Sequence, residues 1–177
     1  LELYGPRLDG DPRSIPDTVL ERGAATMTSL ACINVQTGRN DRARERAERA
    51  EVLLQESIRR QGRRGPTLAR LGNVRFVRGR LALDRSDFAA ADARYAEADA
   101  LFDAARPGLT KASQKLAVRR RLALATDRAA LAERRRRTEE AEAHTARALE
   151  MIEEAGVDRF YELSMRVKRE VFRARRG

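Results

Sequence analysis

Glycine and proline, the residues that interrupt helices, are concentrated at a few points of this chain rather than spread along it. In the body of the chain the breaks are Gly38, residues 62–66, the pair Pro107 and Gly108, and Gly156. The long stretches between them are dominated by Ala, Arg, Leu and Glu, which favour helix over strand. Alternating runs of Val, Ile and Thr are absent, so a sheet is not expected. The chain is therefore predicted to be all-α.

These breaks divide the chain into about seven predicted helices behind a Pro- and Gly-rich start. The helices are predicted at about 17–36, 40–60, 67–85, 87–105, 110–135, 138–155 and 158–175. Their expected N-caps include Asn40, Ser86 and Thr138, for the second, fourth and sixth helices. Residues 1–16, which hold three prolines and two glycines, are predicted to form an extended lead-in or an interdomain linker.

Residues 17–177 are predicted to form one helical repeat domain, because a chain of 177 residues is long enough for one core. Short connections make consecutive helices antiparallel neighbours. The helices are expected to pair as 17–60, 67–105 and 110–155, followed by a terminal helix at 158–175. In that terminal helix we expect one apolar face to be buried; it consists of Phe160, Leu163, Val167 and Val171.

Three stretches of the chain resemble one another, each with a turn, a helix opening and small or aromatic residues spaced by four and three. Their common alanines, Ala43, Ala91 and Ala141, lie 48 and 50 residues apart. A repeated helical pair with a fixed small residue is the sequence mark of a solenoid. The spacing therefore predicts stacked helix pairs.

The second of these stretches resembles the second helix of a tetratricopeptide repeat. The residues that match are Asp87, Phe88, Ala91, Tyr95 and Ala98, and the small residues at the helix crossings are Ala31, Gly79 and Ala129. The resemblance covers about residues 24–155 and implies a right-handed α-solenoid of antiparallel helix pairs. The family repeat is about 34 residues long, so the helices of this long-helix variant must be longer.

The resemblance also implies that the chain is a protein–protein interaction scaffold. A peptide, a helix or a neighbouring domain would occupy a concave groove lined by the first helix of each pair. The residues predicted to line this groove are Thr28, Cys32, Gln36, Asn73, Phe76, Arg80, Thr126 and Arg134. The family's Lys and Asn clamp for a peptide carboxylate is not matched, although Asn73 and Arg80 could hydrogen-bond an acidic peptide.

Positive charge is concentrated in the fifth predicted helix. The chain carries a net charge of +10, and residues 111–138 hold ten Lys or Arg against two acidic residues. Arg121, Arg128 and Arg135 are seven residues apart and form a basic stripe on this helix. The stripe is interpreted either as an anchor for an acidic partner or for phosphates, or as a solvated helix exterior. Nucleic acid is the less favoured partner, because no aromatic residue lies among these arginines to stack on a base.

No enzyme activity, cofactor or metal site is predicted. His144 is the sole histidine and has no candidate co-ligand, and Cys32, the sole cysteine, is expected to be a packed thiol. A single cysteine favours a reducing setting, so a cytoplasmic location is expected. No apolar run has the length of a membrane span, and the oligomeric state is not predicted. The start at Leu1 rather than Met suggests a trimmed or internal piece of a longer chain. The long-helix resemblance implies that this longer chain is a bacterial-type regulatory or assembly protein.

Two alternatives to the scaffold are consistent with the sequence. The first is a nucleic-acid-associated regulator that uses the basic fifth helix. The second is a sensor arm whose groove takes a small ligand and changes shape. Salt separates the scaffold from the nucleic-acid regulator, since phosphate binding weakens steeply as salt rises.

Overall fold

Seven long α-helices, as predicted, account for most of the residues that the structure describes. The computed structural model describes Leu8 and residues 10–155 and 159–174, and within these ranges no strand occurs. The helices are α1 Asp17–Gln36, α2 Asn40–Gln61, α3 Gly65–Asp84, α4 Phe88–Ala105, α5 Lys111–Arg134, α6 Thr138–Ala155 and α7 Arg159–Ala174. Short 3-10 turns occupy Pro12–Ser14 and Arg106–Gly108. None of the described helices is long and apolar enough to cross a membrane.

The helices pack mainly as consecutive pairs, α1 with α2, α3 with α4, and α5 with α6. The odd-numbered helices also contact one another, α1 with α3 and α3 with α5. Each pair is joined to the next by further contacts, α2 with α3, α4 with α5 and α6 with α7. A cleft of about 250 Å³ lies between α2 and α4 and is also lined by α3. Helices α1, α3 and α5 therefore form a layer of neighbours.

The turns within the three pairs share one backbone conformation. Each contains a residue in the left-handed region, namely Gly38, Ser86 or Arg136, with φ of 71°, 61° and 57°. In each turn the next residue donates its N–H to the carbonyl five residues earlier: Arg39 to Asn34 (2.8 Å), Asp87 to Ala82 (3.0 Å) and Arg137 to Ala132 (2.9 Å). This hydrogen bond is typical of the Schellman motif that ends helices. The three turns recur at the 48- and 50-residue spacing of the alanines, so the repeat exists in backbone geometry as well as in sequence.

At these Schellman turns, none of the three predicted N-caps occupies the cap position. Ser86, predicted as the N-cap of α4, takes the left-handed position, and Asp87 is the N-cap instead. The Asp87 side chain accepts a hydrogen bond from the Ala90 N–H at 3.0 Å. Asn40 and Thr138 are likewise the first residues of α2 and α6 rather than caps.

Glycines on α3 receive aromatic rings from α4. A Cβ atom on Gly79 would overlap the ring of Tyr95, and one on Gly72 would lie 3.0 Å from Phe102 Cε1. Both rings are buried. The resemblance placed Gly79 at a helix crossing, and the atoms nearest to a Cβ on Gly79 belong to Tyr95 of α4. The glycines allow α3 and α4 to approach closely despite the bulk of the rings.

Positions that correspond in the other pairs follow from the spacing of the turns. The Gly72–Phe102 pair corresponds to Ala24–Leu54 in the first pair and to Leu122–Ile152 in the third. The Gly79–Tyr95 pair corresponds to Ala31–Ala47 and to Ala129–Thr145. All of these residues are buried. The three pairs thus bury the same positions while distributing side-chain volume differently.

The lead-in packs against the first helix pair. Leu8 and Ile15 are buried in the core with α1 and α2, and Leu8 fills the space above Gly23. The guanidinium of Arg60 on α2 donates hydrogen bonds to the backbone carbonyls of this segment, those of Pro12 (3.0 Å), Arg13 (2.7 Å) and Ile15 (2.8 Å). Irregular backbone needs such partners when it is packed on a core. The described part of the lead-in is therefore a folded segment.

The buried face of α7 differs from the predicted one. Met165 and Phe172 are buried, Met165 with the cluster of Leu122 and Ile152 and Phe172 with that of Ala132 and Ala141. The face predicted to be buried is exposed instead: Leu163 is 59 %, Val167 56 % and Val171 42 % exposed. Phe160 lies outside the described side chains. The prediction was wrong because Met165 and Phe172, seven residues apart, fit the facing surface and outweigh the three aliphatic residues.

Candidate partner-binding surface

The residues predicted to line a groove all lie on α1, α3 and α5, but at different depths. Thr28 and Phe76 are each 5 % exposed. Partly buried positions are Cys32, Asn73, Arg80 and Thr126, and exposed positions are Gln36 and Arg134, the last residues of α1 and α5. The hydroxyl of Thr28 donates to the Ala24 carbonyl at 2.7 Å. A partner lying on this layer would therefore meet only some of the predicted residues directly.

Phe76 belongs to the core between α3 and α4. Its ring centroid lies 6.0 Å from that of Tyr95, in a tilted arrangement. Gly72 and Gly79 flank it on the same helix face, and that face meets α4. Their spacing around Phe76 was visible in the sequence as the signal of a packing face. In this position Phe76 supports the helix pair, and only a small edge of the ring is open to a partner.

Arg80 is held by a carboxylate from the next helix pair. Its Nε lies 3.3 Å from Asp127 Oδ2, and the Tyr95 hydroxyl donates to the same oxygen at 3.4 Å. Burial raises the pKa of the Asp127 carboxyl, and the positive charge of Arg80 opposes that rise. The Arg80 side chain is still 38 % exposed. It is therefore oriented by Asp127 and remains open to a ligand.

Cys32 lies on α1 within the electrostatic reach of α3 and α5. Burial raises the pKa of the Cys32 thiol, and the positive charges of Arg120 and Arg80 act in the opposite direction. Three successive odd-numbered helices therefore contribute to one polar region. The sequence places Cys32 and Arg80 on a common face, but it does not indicate Arg120.

The basic stripe of α5 faces α4. Arg121 pairs with Asp99 (3.2 Å) and Asp103 (2.8 Å), whereas Arg128 and Arg135 pair with Asp92 (3.4 and 3.7 Å). The three arginine side chains are only 14 %, 21 % and 22 % exposed. Neither a solvated exterior nor an open anchor describes them, because their carboxylate partners belong to the same chain. The seven- and four-residue spacing of the acidic residues on the fourth helix was the sequence signal for this pairing.

Acidic residues at corresponding positions connect successive helix pairs. Glu51 of α2 is buried and pairs with Arg75 (2.5 Å) and Arg78 of α3. Asp99 of α4, 48 residues later, pairs with Arg121 of α5 and with Arg147 of α6 (2.8 Å). Arginine is suited to this role because its planar fork binds carboxylates in a fixed geometry. Much of the arginine content of the chain is thus used between its own helices.

A cavity of about 140 Å³ lies between α3 and the start of α5. Its polar lining includes Arg70, Asn73 and Arg120, and its apolar lining includes Leu109 and Leu116. Asn73 Oδ1 and Arg120 Nε are buried and have no hydrogen-bond partner within the described chain. Burial lowers the pKa of Arg70, and the nearby positive charge of Arg64 lowers it further. Of these polar residues the sequence indicated only Asn73, because the other two become neighbours through helix packing.

Comparison of the chain with protein-family models, with curated proteins and with solved structures found no match. In the described ranges, no group of three or more His, Cys, Asp or Glu side chains is arranged to hold a metal ion.

Proposed function

We propose that this chain is a tetratricopeptide-like α-solenoid that holds a segment of another protein against the layer formed by α1, α3 and α5. The observation that carries this proposal is the α3–α5 cavity, where the buried polar atoms of Asn73 and Arg120 have no partner within the described chain. Buried polar atoms in folded proteins are nearly always paired. A partner segment would supply the missing hydrogen bonds.

The packing of the helices supports a concave surface on the side formed by α1, α3 and α5. Helices α1, α3 and α5 contact one another in sequence, while α2 and α4 are separated by the 250 Å³ cleft. A stack that is closer on one side than on the other curves towards the closer side. The groove would therefore lie over α1, α3 and α5, with Cys32, Asn73 and Arg80 accessible along it.

The ion pairs that the basic stripe makes with α4 weaken the nucleic-acid alternative. A phosphate backbone would have to compete with Asp92, Asp99 and Asp103 for the stripe arginines. Arginines that are already paired release little free energy when a second anion arrives, since the first ion pair must be broken. We therefore propose that the groove binds a segment of a protein rather than nucleic acid. The experiment below also tests binding of nucleic acid.

Peptides selected from a random display library against the folded chain can test the proposal. The tightest one would be synthesised with both ends blocked and titrated while backbone amide NMR signals are recorded. We expect the shifted signals to cluster on α1, α3 and α5, and binding to weaken when Arg80 is changed to Ala. The matched control is Arg94→Ala on α4, an arginine outside this layer.

Two results would reject the groove. One is a cluster of shifted signals beside the α2–α4 cleft. The other is a selection that yields no peptide while a labelled single-stranded oligonucleotide binds with a steep dependence on salt.

A further inference from the structure

The lining of the α3–α5 cavity carries positive charge without a matching carboxylate. Its charged residues are Arg70 and Arg120, and no Asp or Glu lies among the lining residues. At two other junctions between helix pairs an arginine faces a carboxylate, since Arg75 pairs with Glu51 and Arg121 pairs with Asp99. The cavity therefore differs from these junctions in having the cations but not the acidic residue.

Cations in such surroundings favour binding of an anion from outside. A guanidinium that is partly removed from water loses hydration, and only an anion or hydrogen-bond acceptors restore that loss. The lowered pKa of Arg70 has burial as its largest cause, so this side chain does lose hydration. Arg120 adds a buried Nε–H that has no acceptor within the described chain.

The remaining walls define the rest of the ligand. Leu109 and Leu116 give the cavity an apolar rim, and Leu116 is 56 % exposed at its mouth. Asn73 contributes a buried oxygen without a donor, so the ligand should also bring an N–H group. Phosphate offers neither an apolar group nor an N–H. An extended peptide with an acidic residue beside an apolar one offers all three features.

We propose that the cavity receives the carboxylate of an Asp or Glu side chain within a partner segment, paired with Arg70 and Arg120. A neighbouring aliphatic residue of the partner lies on Leu116, and a backbone N–H of the partner donates to Asn73 Oδ1. This proposal rests on the proposed function, because it specifies what the groove selects. The carboxylate is an internal side chain, so blocked peptide ends leave binding intact.

The experiment uses the tightest end-blocked peptide from the display selection, measured by fluorescence anisotropy. Each acidic residue of the peptide is changed in turn to its amide, and the chain carries either R70Q or R120Q. We expect one Glu→Gln or Asp→Asn change in the peptide to weaken binding about tenfold or more, as does each arginine variant. Combined, the two changes should weaken binding by much less than the product of the single effects, because they remove the same contact.

The matched control is R42Q, since Arg42 is exposed on α2 and its loss changes the net charge equally. Thermal unfolding of R70Q and R120Q checks that the fold is kept, and R70K separates the charge from the planar fork.

Three outcomes would overturn the acidic-residue proposal. They are selected peptides without an acidic residue, an R42Q variant that weakens binding as much as R120Q, and full displacement of the peptide by millimolar inorganic phosphate. In the first two cases the groove itself survives, provided that the amide signals on α1, α3 and α5 still shift. Only a failure of that mapping would count against the proposed function.

Discussion

The α3–α4 and α5–α6 pairs have the same turn and the same buried positions, yet they fill their interfaces differently. In α3–α4 the large side chains at the interface are Tyr95 and Phe102 of α4, and the residues that face them on α3 are glycines. In α5–α6 the corresponding side chains of α6 are Thr145 and Ile152, and the residues at the facing positions of α5 are Ala129 and Leu122. Large residues on one helix are thus matched by small ones on the other, and medium residues by medium ones.

This difference indicates that the repeat specifies register and combined volume rather than the residue at each position. Protein interiors are packed to a nearly constant density, so a change on one helix requires a complementary change on its neighbour. The backbone turn fixes which positions face each other, and packing then sets the sum of their sizes. Substitutions that move residues between the two pairs therefore test whether combined volume is what the repeat specifies.

The largest effect should come from giving α4 the residue of α6. We expect Tyr95→Thr to lower the free energy of unfolding by about 3–5 kcal/mol, because it removes a fully buried ring and leaves a cavity beside Gly79. It also removes the hydrogen bond to Asp127. Urea unfolding of both proteins measures the change. The control, Thr145→Ser in α6, should cost less than about 1.5 kcal/mol; an equal loss in the two variants would contradict the comparison.

The next effect concerns the facing position on α3. Gly79→Ala should destabilise the chain by about 1–3 kcal/mol, since the new methyl group overlaps the ring of Tyr95. In the double variant with Tyr95→Thr the same substitution should be neutral or stabilising, because the ring is gone and alanine favours helix. A double-mutant cycle of urea unfolding experiments tests this coupling. Additive free energies would mean that the two residues do not share one packing volume.

A smaller effect is expected at the turns that the two pairs share. Ser86 and Arg136 occupy the left-handed conformation, which costs a residue with a side chain about 1–2 kcal/mol. Ser86→Gly and Arg136→Gly should each stabilise the chain by about 0.5–1 kcal/mol, because glycine adopts this conformation readily but loses more entropy on folding. Thermal unfolding measures both variants. In the first pair, Gly38→Ala should change stability in the opposite direction, and stabilisation there would contradict the shared turn.

The smallest expected effect is a difference between the two helix pairs in how their stability depends on pH. Position 144 of α6 corresponds to Arg94 of α4, which is paired with Glu97. Burial lowers the pKa of His144, and Arg128 lowers it further, while Asp92 opposes this. The neutral imidazole therefore contributes stability that is present above its unfolded pKa of about 6.5 and is lost as pH falls through the lowered value.

We expect α5 and α6 to open more often than α3 and α4 when pH is reduced from about 7.5 to about 5.5. Amide hydrogen exchange, corrected for intrinsic rates, measures opening in each helix. The His144→Gln variant should lose this difference, and a difference that persists in the variant would assign it to other groups.

The fold was predictable because its signals are local. Breakers, helix-forming residues and the recurring Ala43, Ala91 and Ala141 are read directly along the chain, and they located the seven helices to within a few residues. The three predicted N-caps were wrong. At Ser86 the reason is that Ser is both a good N-cap and tolerable in the left-handed region. Only the backbone geometry of the Schellman turn distinguishes the two positions.

The candidate site was less predictable because its chemistry is non-local. Arg70 and Arg120 lie on different helices, and the absence of a carboxylate from the lining between them is a property of packing. The resemblance implied a groove position for Phe76, whereas its burial depends on side chains of other helices, among them Tyr95 and Leu124. The pairing of the basic stripe does have a sequence signal, because Asp92, Asp99 and Asp103 follow a seven- and four-residue spacing on α4.

The recurrence of one turn conformation at Gly38, Ser86 and Arg136 has a consequence for how such a chain can lengthen or shorten. A crossover between two gene copies at corresponding turns would join backbone segments that already have matching dihedral angles and hydrogen bonds. The product would gain or lose one whole helix pair, and every later helix would keep its facing side. Gain or loss of only part of a helix pair would instead rotate the following helix away from its neighbour. The length of the helical array can therefore change only in steps of about one repeat.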